Sequence, residues 1–213
     1  DQLTTAYHYG ALDNFYQQHY LSAVHVLPLG DQQSLKSDIR FARSTDDGNT
    51  NVDNKAFGAM FTYALGGHAL GLGYQQMNGD TGFAYLDGSD PFLVNFVQIN
   101  DFAGADERSW QVRYDYDFVA MGIPGLSFMT RYAKGWDADY SNANSVYMRR
   151  GADGAPLQDQ KRWERDIEAK YIIQSGSLKD MSLRVRQATT RATDFESDLD
   201  EVRLIVEYPL QLL

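Results

Sequence analysis

The stretch from Glu201 to Leu213 limits the folds open to this chain more than any other. Val202, Leu204, Val206, Tyr208, Leu210 and Leu212 are apolar, whereas the interleaved Glu201, Arg203, Ile205, Glu207, Pro209 and Gln211 are mostly polar. Side chains alternate across a strand, so the segment offers one apolar and one charged face over about twelve residues. Ordinary globular strands have about five or six residues, and a tilted strand of about ten crosses a bilayer. The expectation is an apolar face against lipid and a charged face lining an aqueous pore.

Ten segments carry the same alternation. They are expected as strands near Gln2–Tyr9, Phe15–Leu27, Gln33–Arg43, Asn54–Ala64 and His68–Met77, then Arg108–Phe118, Leu126–Gly135, Arg162–Ile173, Met181–Arg191 and Glu201–Gln211. The first two are the least regular. Outward sets include Ile39 with Phe41, Phe57 with Phe61, Trp110 with Val112, and Leu183 with Val185, and several aromatics fall towards strand ends, as an interfacial girdle requires. Short turns (28–32, 66–67, 119–125 and 174–180) alternate with longer acidic loops (44–53, 78–107, 136–161 and 192–200), the exception being the short 10–14 connection. Short turns on one side and long loops on the other are the pattern of an outer-membrane barrel, and the parity puts the C-terminus on the periplasmic side.

Composition agrees where it bears on this. The 213 residues include no Cys, which excludes a disulfide framework and a thiolate metal site, and mean hydropathy is −0.46 with no apolar run long enough for a membrane helix. A formal charge of −10 argues against a nucleic-acid partner. No linker or repeat divides the chain, so residues 1–213 are expected as a single transmembrane β-barrel domain. The start at Asp1 reads as a mature or truncated one.

The face opposite the apolar sets carries Lys36, Asp38, Arg40, Arg113, Asp115, Asp117, Arg131, Glu164, Asp166, Glu168, Lys170, Arg184, Arg186, Arg203 and Glu207. That many ionised groups need water or partners. Closing the 119–125 turn as a hairpin sets Arg113 and Arg131 side by side. Arg184 and Arg186 stack two residues apart, between Lys170 on one neighbouring strand and Arg203 on the other. Guanidinium grips carboxylates bidentately, so the row reads as a track for an anionic group. The alternative is a set of wall salt bridges, with Glu168 and Asp166 reaching Arg184 and Arg186, and Asp115 reaching Arg113.

Pro91–Val97 is too apolar for solvent, so the 78–107 loop is expected either to fold into the barrel or to pack as a lid on other loops. Asp46, Asp47, Asp53 and Asn54 fit no cation motif and read as a solvated loop. Arg149 and Arg150 read as solvated or paired with lipid phosphate. The four histidines show no metal-ligand spacing, and no nucleophile elbow or phosphate loop is present. Neither cofactor nor metal is expected.

The stretches Gly30–Phe41, Gln98–Phe102, Glu107–Asp115, Arg131–Tyr132, Gly176–Asp180, Leu183–Arg186, Asp200–Arg203 and Tyr208–Leu210 resemble the OprD (Occ) family of outer-membrane carboxylate channels. The resemblance implies an all-β, antiparallel transmembrane barrel of eighteen strands, of which about ten are present here, matching the C-terminal part. It also implies a monomeric porin of the bacterial outer membrane, not an enzyme, that passes small anionic or zwitterionic solutes along a basic ladder; a trimer stays open. Arg184, Arg186 and Arg203 lie in the matching ladder stretches, and Arg113, Arg131 and Lys170 are added by strand phase. Two features depart from the family: the strand count, which means either a fragment or ten strands closing alone, and the non-aromatic end Gln211-Leu212-Leu213. The rival readings are an outer-membrane barrel enzyme, which would need a histidine with a partner at the rim, and a soluble all-β binding module.

Overall fold

The computed structural model describes residues 2–86, 89–143 and 147–209. Ten antiparallel strands follow one another in a single sheet: β1 (Gln2–Leu12), β2 (Tyr16–Gly30), β3 (Gln33–Asp46), β4 (Asp53–Leu65) and β5 (His68–Asn78), then β6 (Arg108–Asp117), β7 (Leu126–Ala138), β8 (Gln160–Ile172), β9 (Ser182–Ala192) and β10 (Leu199–Glu207). Every expected strand is present, most extended by a few residues at one end, but β10 ends at Glu207, so Tyr208 and Pro209, which the alternation placed in that strand, lie beyond it. Leu210 and Leu212, part of the alternation that set the expectation, lie outside the described residues.

Turn chemistry explains the short ends. Gly66 takes a left-handed φ of 56°, which closes β4 onto β5 in two residues, with Leu65 opposite His68. After β6 the Asp117 carboxylate accepts the Val119 N–H and starts a 3-10 turn, Phe118–Met121, which ends on left-handed Gly122.

The apolar set faces out. Leu204 and Val202 are each 72% exposed, and Leu72, Val185, Phe61 and Phe41 are also exposed. Burying such groups in hydrocarbon costs nothing that water would not exceed. Two clusters of buried apolar residues lie on the other side, between the wall and the β5–β6 loop, and a third, with Tyr140, Leu157 and Phe195, lies among the later long loops. Ala42, Ala56 and Met77 of the wall pack against Phe83, Leu93 and Ala103, and Ala133 packs against Val97 and Phe102.

That loop also shows that the sheet is curled. Near one end the Phe92 carbonyl accepts from Tyr20 of β2 and Arg40 of β3, and six residues later Gln98 donates to Glu201 of β10. Laid flat, β2 and β10 would be about 38 Å apart at ~4.8 Å per strand. Six residues reach at most about 21 Å even when fully extended, and this segment turns at 94–95. The wall therefore wraps around the loop. Of the two expectations for the loop, folding into the tube is the one realised. Among the described residues β1 and β10 are not paired, so the sheet is open, and in lipid each edge demands a partner strand.

Candidate solute path on the inward face

Inward residues fall in cross-strand rows. One row holds Lys36, Arg113, Arg131 and Asp166, with Arg113 directly opposite Arg131 as the hairpin argument required. Two residues along each strand lies Asp115, Met129, Glu168, Arg186 and Arg203, and two further lie Lys170 and Arg184. The rows are separated by about 7 Å and neighbouring strands by about 5 Å. The cations therefore descend the wall in steps short enough for one carboxylate to leave one and meet the next.

Most of them already hold wall carboxylates. Arg113 takes Asp115 in a two-pronged contact of 2.7 and 2.8 Å, and Arg203 takes Glu201 at 2.6 Å. Arg186 pairs with Glu168, and Arg131 with Asp166. Asp166 thus serves Arg131 rather than Arg184 or Arg186, because Arg131 lies directly across from it in register. Arg184 is held most loosely. It sits 3.7 Å from Glu168 and 3.5 Å from Glu207, and its Nε has no hydrogen-bond partner among the described residues. Lys170 and Lys36 make no ion pair among the described residues.

Towards the long-loop end the inward face has a different character. Arg162 is buried and binds Glu107 at 2.6 Å and Asp101 at 2.9 Å, with its guanidinium 5.0 Å from the Phe102 ring centre. Glu164, expected as a wetted wall charge, is buried. Its two oxygens take the N–H groups of Gln98, Ile99 and Asn100 and the Asn100 amide. Gln75 accepts the Asn95 N–H and donates to the Asp101 and Phe102 carbonyls, while Gln111 donates to Val94 and Asn95. Burial pushes the Asp101 carboxyl up, but Arg162, the Tyr85 hydroxyl and the Ala103 N–H outweigh it and hold it below the usual range. Burial pushes the Tyr140 hydroxyl in the next loop up to about 12.

These anchors were not visible as such in the sequence. Arg162 is in phase with the lumen set, but its partners lie more than fifty residues away, and alternation carries no contact information. The only local hint was the density of Asn, Asp and Gln between Asn95 and Asp101 beside an apolar run.

The loop residues weighed as a cation site are occupied otherwise. Asp46 takes the Thr50 N–H and hydroxyl, Asp47 takes Gln17, Asp53 pairs with Arg43, and buried Asn54 donates to the Thr81 carbonyl. Arg149 is exposed, as expected of a loop charge, but it is also held by protein: it binds Glu196 and the Phe195 carbonyl at 2.7 Å and lies 5.5 Å from the Tyr140 ring centre.

Comparison with known proteins agrees with this wall. Residues 1–212 match the sequence model of the outer membrane porin, OprD family. The chain is 38% identical over 230 residues to Porin D of Pseudomonas aeruginosa, covering 100% of this chain and 51% of that protein. It is 33% identical over 211 residues to the porin-like protein GalP of Pseudomonas putida, covering 96% and 46%. The crystal structure of Pseudomonas aeruginosa OpdQ superposes with a TM-score of 0.87 at 58% identity, covering 97% of this chain and 52% of that one. That of Pseudomonas aeruginosa OprD superposes with a TM-score of 0.91 at 37% identity, covering 99% and 58%. The chain spans about half the length of the curated relatives it matches. The matched relatives are porins, not enzymes, and the chain belongs to the OprD family of outer-membrane porins.

Proposed function

We propose that the protein acts as the wall of a monomeric, passive pore that passes small carboxylate-bearing solutes, amino acids or aromatic or aliphatic acids, along Arg113, Arg131, Lys170, Arg184, Arg186 and Arg203. The observation that carries the reading is the register that sets Arg113 opposite Arg131 and Arg186 opposite Arg203. Facing like charges weaken a sheet, so they persist where something else gains from them.

The wall carboxylates fit this role. Glu168 lies between Arg184 and Arg186 and holds their place when no solute is present. An entering carboxylate exchanges with it at a modest difference in free energy, because one charge-assisted pair replaces another. A cation row without wall anions would bind the solute too tightly to release it. Lys170 and the loosely held Arg184 are the stations most open to a newcomer, and Asp115, Glu201 and Glu207 tolerate a positive group on a zwitterion.

Single-channel recording on the Arg184→Gln, Arg186→Gln double variant tests the reading. Permeation of a small carboxylate is expected to fall by about tenfold, the equivalent of one net charge-assisted hydrogen bond of ~1.5 kcal/mol after exchange with Glu168, while that of a neutral solute of equal size changes less than about twofold. Equal slowing of both solutes removes the track.

A further inference from the structure

We infer that the outer rim of the lipid-facing surface is a binding girdle for phosphate-bearing lipid headgroups of the outer leaflet. The inference rests on the outward face alone and is independent of the solute track.

Strand phase puts a second set of cations outside. Arg43, Arg108 and Arg191 share the face of Phe41, Trp110 and Trp163, as do Lys55, Lys134, Lys161 and Arg165. All lie at the long-loop end of their strands. The deepest, Arg165, is five residues into β8, and Arg108 is the first residue of β6. At the other rim the outward face ends in Leu65, Tyr116, Leu126, Tyr171, Leu183 and Val206, with no Lys or Arg among the described strand residues.

Height assigns the ligand. On β6 the outward residues after Arg108 are Trp110, Val112, Tyr114 and Tyr116, so its Cα stands about 26 Å along the strand from the far rim at ~3.3 Å per residue, or about 20 Å in height at the usual tilt of about 40°. The apolar band of an outer-membrane barrel is about 25 Å tall. The Cα atoms therefore lie a few ångströms inside that band, and the long Lys and Arg stems carry the charges outward to headgroup level on the side of the long loops, which is the outer side of such barrels. Trp110, Tyr132 and Trp163 line up just beside them with ring centres 5.6 and 5.7 Å apart, at the depth where interfacial aromatics settle.

The charges are also incompletely matched by protein. Arg43 pairs with Asp53, Arg108 with Asp137 at 3.2 Å, and Arg191 with Asp198 and Asp200. Lys55, Lys134, Lys161 and Arg165 make no ion pair among the described residues. Arg43 stands directly opposite Lys55, and Trp163 is flanked across the ladder by Lys134 and Arg191. Ammonium and guanidinium groups so clustered suit phosphate oxygens.

The test measures partition of nitroxide-labelled lipid A towards the outward tryptophans, by fluorescence quenching, for the protein in phosphatidylcholine vesicles. Bisphosphorylated lipid A is expected to associate roughly tenfold more strongly than its dephosphorylated form. The preference should shrink as salt is raised, and about 10 mM inorganic phosphate should leave most of it intact. In the Lys55→Gln, Lys134→Gln, Lys161→Gln, Arg165→Gln variant the preference should be lost, while a Lys36→Gln, Lys170→Gln variant, altered only inside, keeps it. Equal quenching by the two lipids in the unmodified protein overturns the girdle without recourse to any variant. So does full competition by inorganic phosphate, which would make the site one for a free anion.

Discussion

Two parts of one inward face solve the same problem differently. Beneath the β5–β6 loop the wall is mostly small or neutral, with Ala42, Ala56, Gly58, Gly73, Gln75, Gln111 and Ala133, and its charges there, Arg162 and Glu164, are buried against the loop. A Cβ at Gly58 would stand 2.7 Å from Val94, and one at Gly73 3.0 Å from the Asn95 amide oxygen, so the loop lies against bare backbone there. Its polar groups are satisfied by protein, through Gln75, Gln111, Glu164 and Arg162. From β8 to β10, beyond the loop, the wall is ionic, and Arg203 and Glu207 keep half or so of their side chains exposed. A buried polar group must be fully matched, whereas a wetted one can be left to exchange. The first region fixes a shape. The second leaves charges available to a passing solute.

Breaking the covered region should have the largest effect. Arg162→Met strands Glu107 and Asp101 without their shared cation, and the loss of one partner from a buried ion pair costs about 3–5 kcal/mol. Chemical denaturation in detergent should show that loss, together with a noisier open-channel current as the loop comes free. A change no greater than that of Arg184→Gln would erase the distinction between the two regions.

Gln75→Ala should come next. It removes three hydrogen bonds to the loop, for about 3 kcal/mol at ~1 kcal/mol per net hydrogen bond. Limited proteolysis within 79–107 should accelerate accordingly. Unchanged cleavage would mean that the apolar contacts of Phe83, Leu93 and Phe102 hold the loop without the amides.

Acid sharpens the comparison more gently. Asp101 has a folded value below its ordinary 3.8, so its contribution is fully present above that ordinary value and lost as pH falls through the folded one. Protection of the loop from protease should therefore weaken only at strongly acid pH, and Asp101→Asn should show less protection at neutral pH and little further loss on acidification. Loss of protection in wild type around neutral pH would place the control elsewhere.

The wall was legible in the sequence because period two is a local signal. Leu204 against Arg203, or Phe41 against Arg40, reports its face from its neighbours alone. The pairing of Arg113 with Arg131 was also legible, since a single turn length sets that register. The route of the loop was not, because it depends on contacts such as Glu164 with Asn100 or Gln98 with Glu201, which join residues 64 and 103 positions apart. The partners of the basic row were half legible. Glu168 was placed correctly between Arg184 and Arg186, but Asp166 went to Arg131, one strand back, as β7–β8 register dictates.

The central claim is the orientation of the two faces, and adjacent residues of β10 test it most directly. The chain has no native cysteine, so Arg203→Cys and Leu204→Cys can be compared in vesicles without background labelling. The account predicts that a charged, membrane-impermeant thiol reagent modifies Arg203→Cys rapidly and leaves Leu204→Cys untouched, while a lipid-soluble maleimide reacts with Leu204→Cys. Rapid modification of Leu204→Cys by the charged reagent, with Arg203→Cys protected, would contradict it.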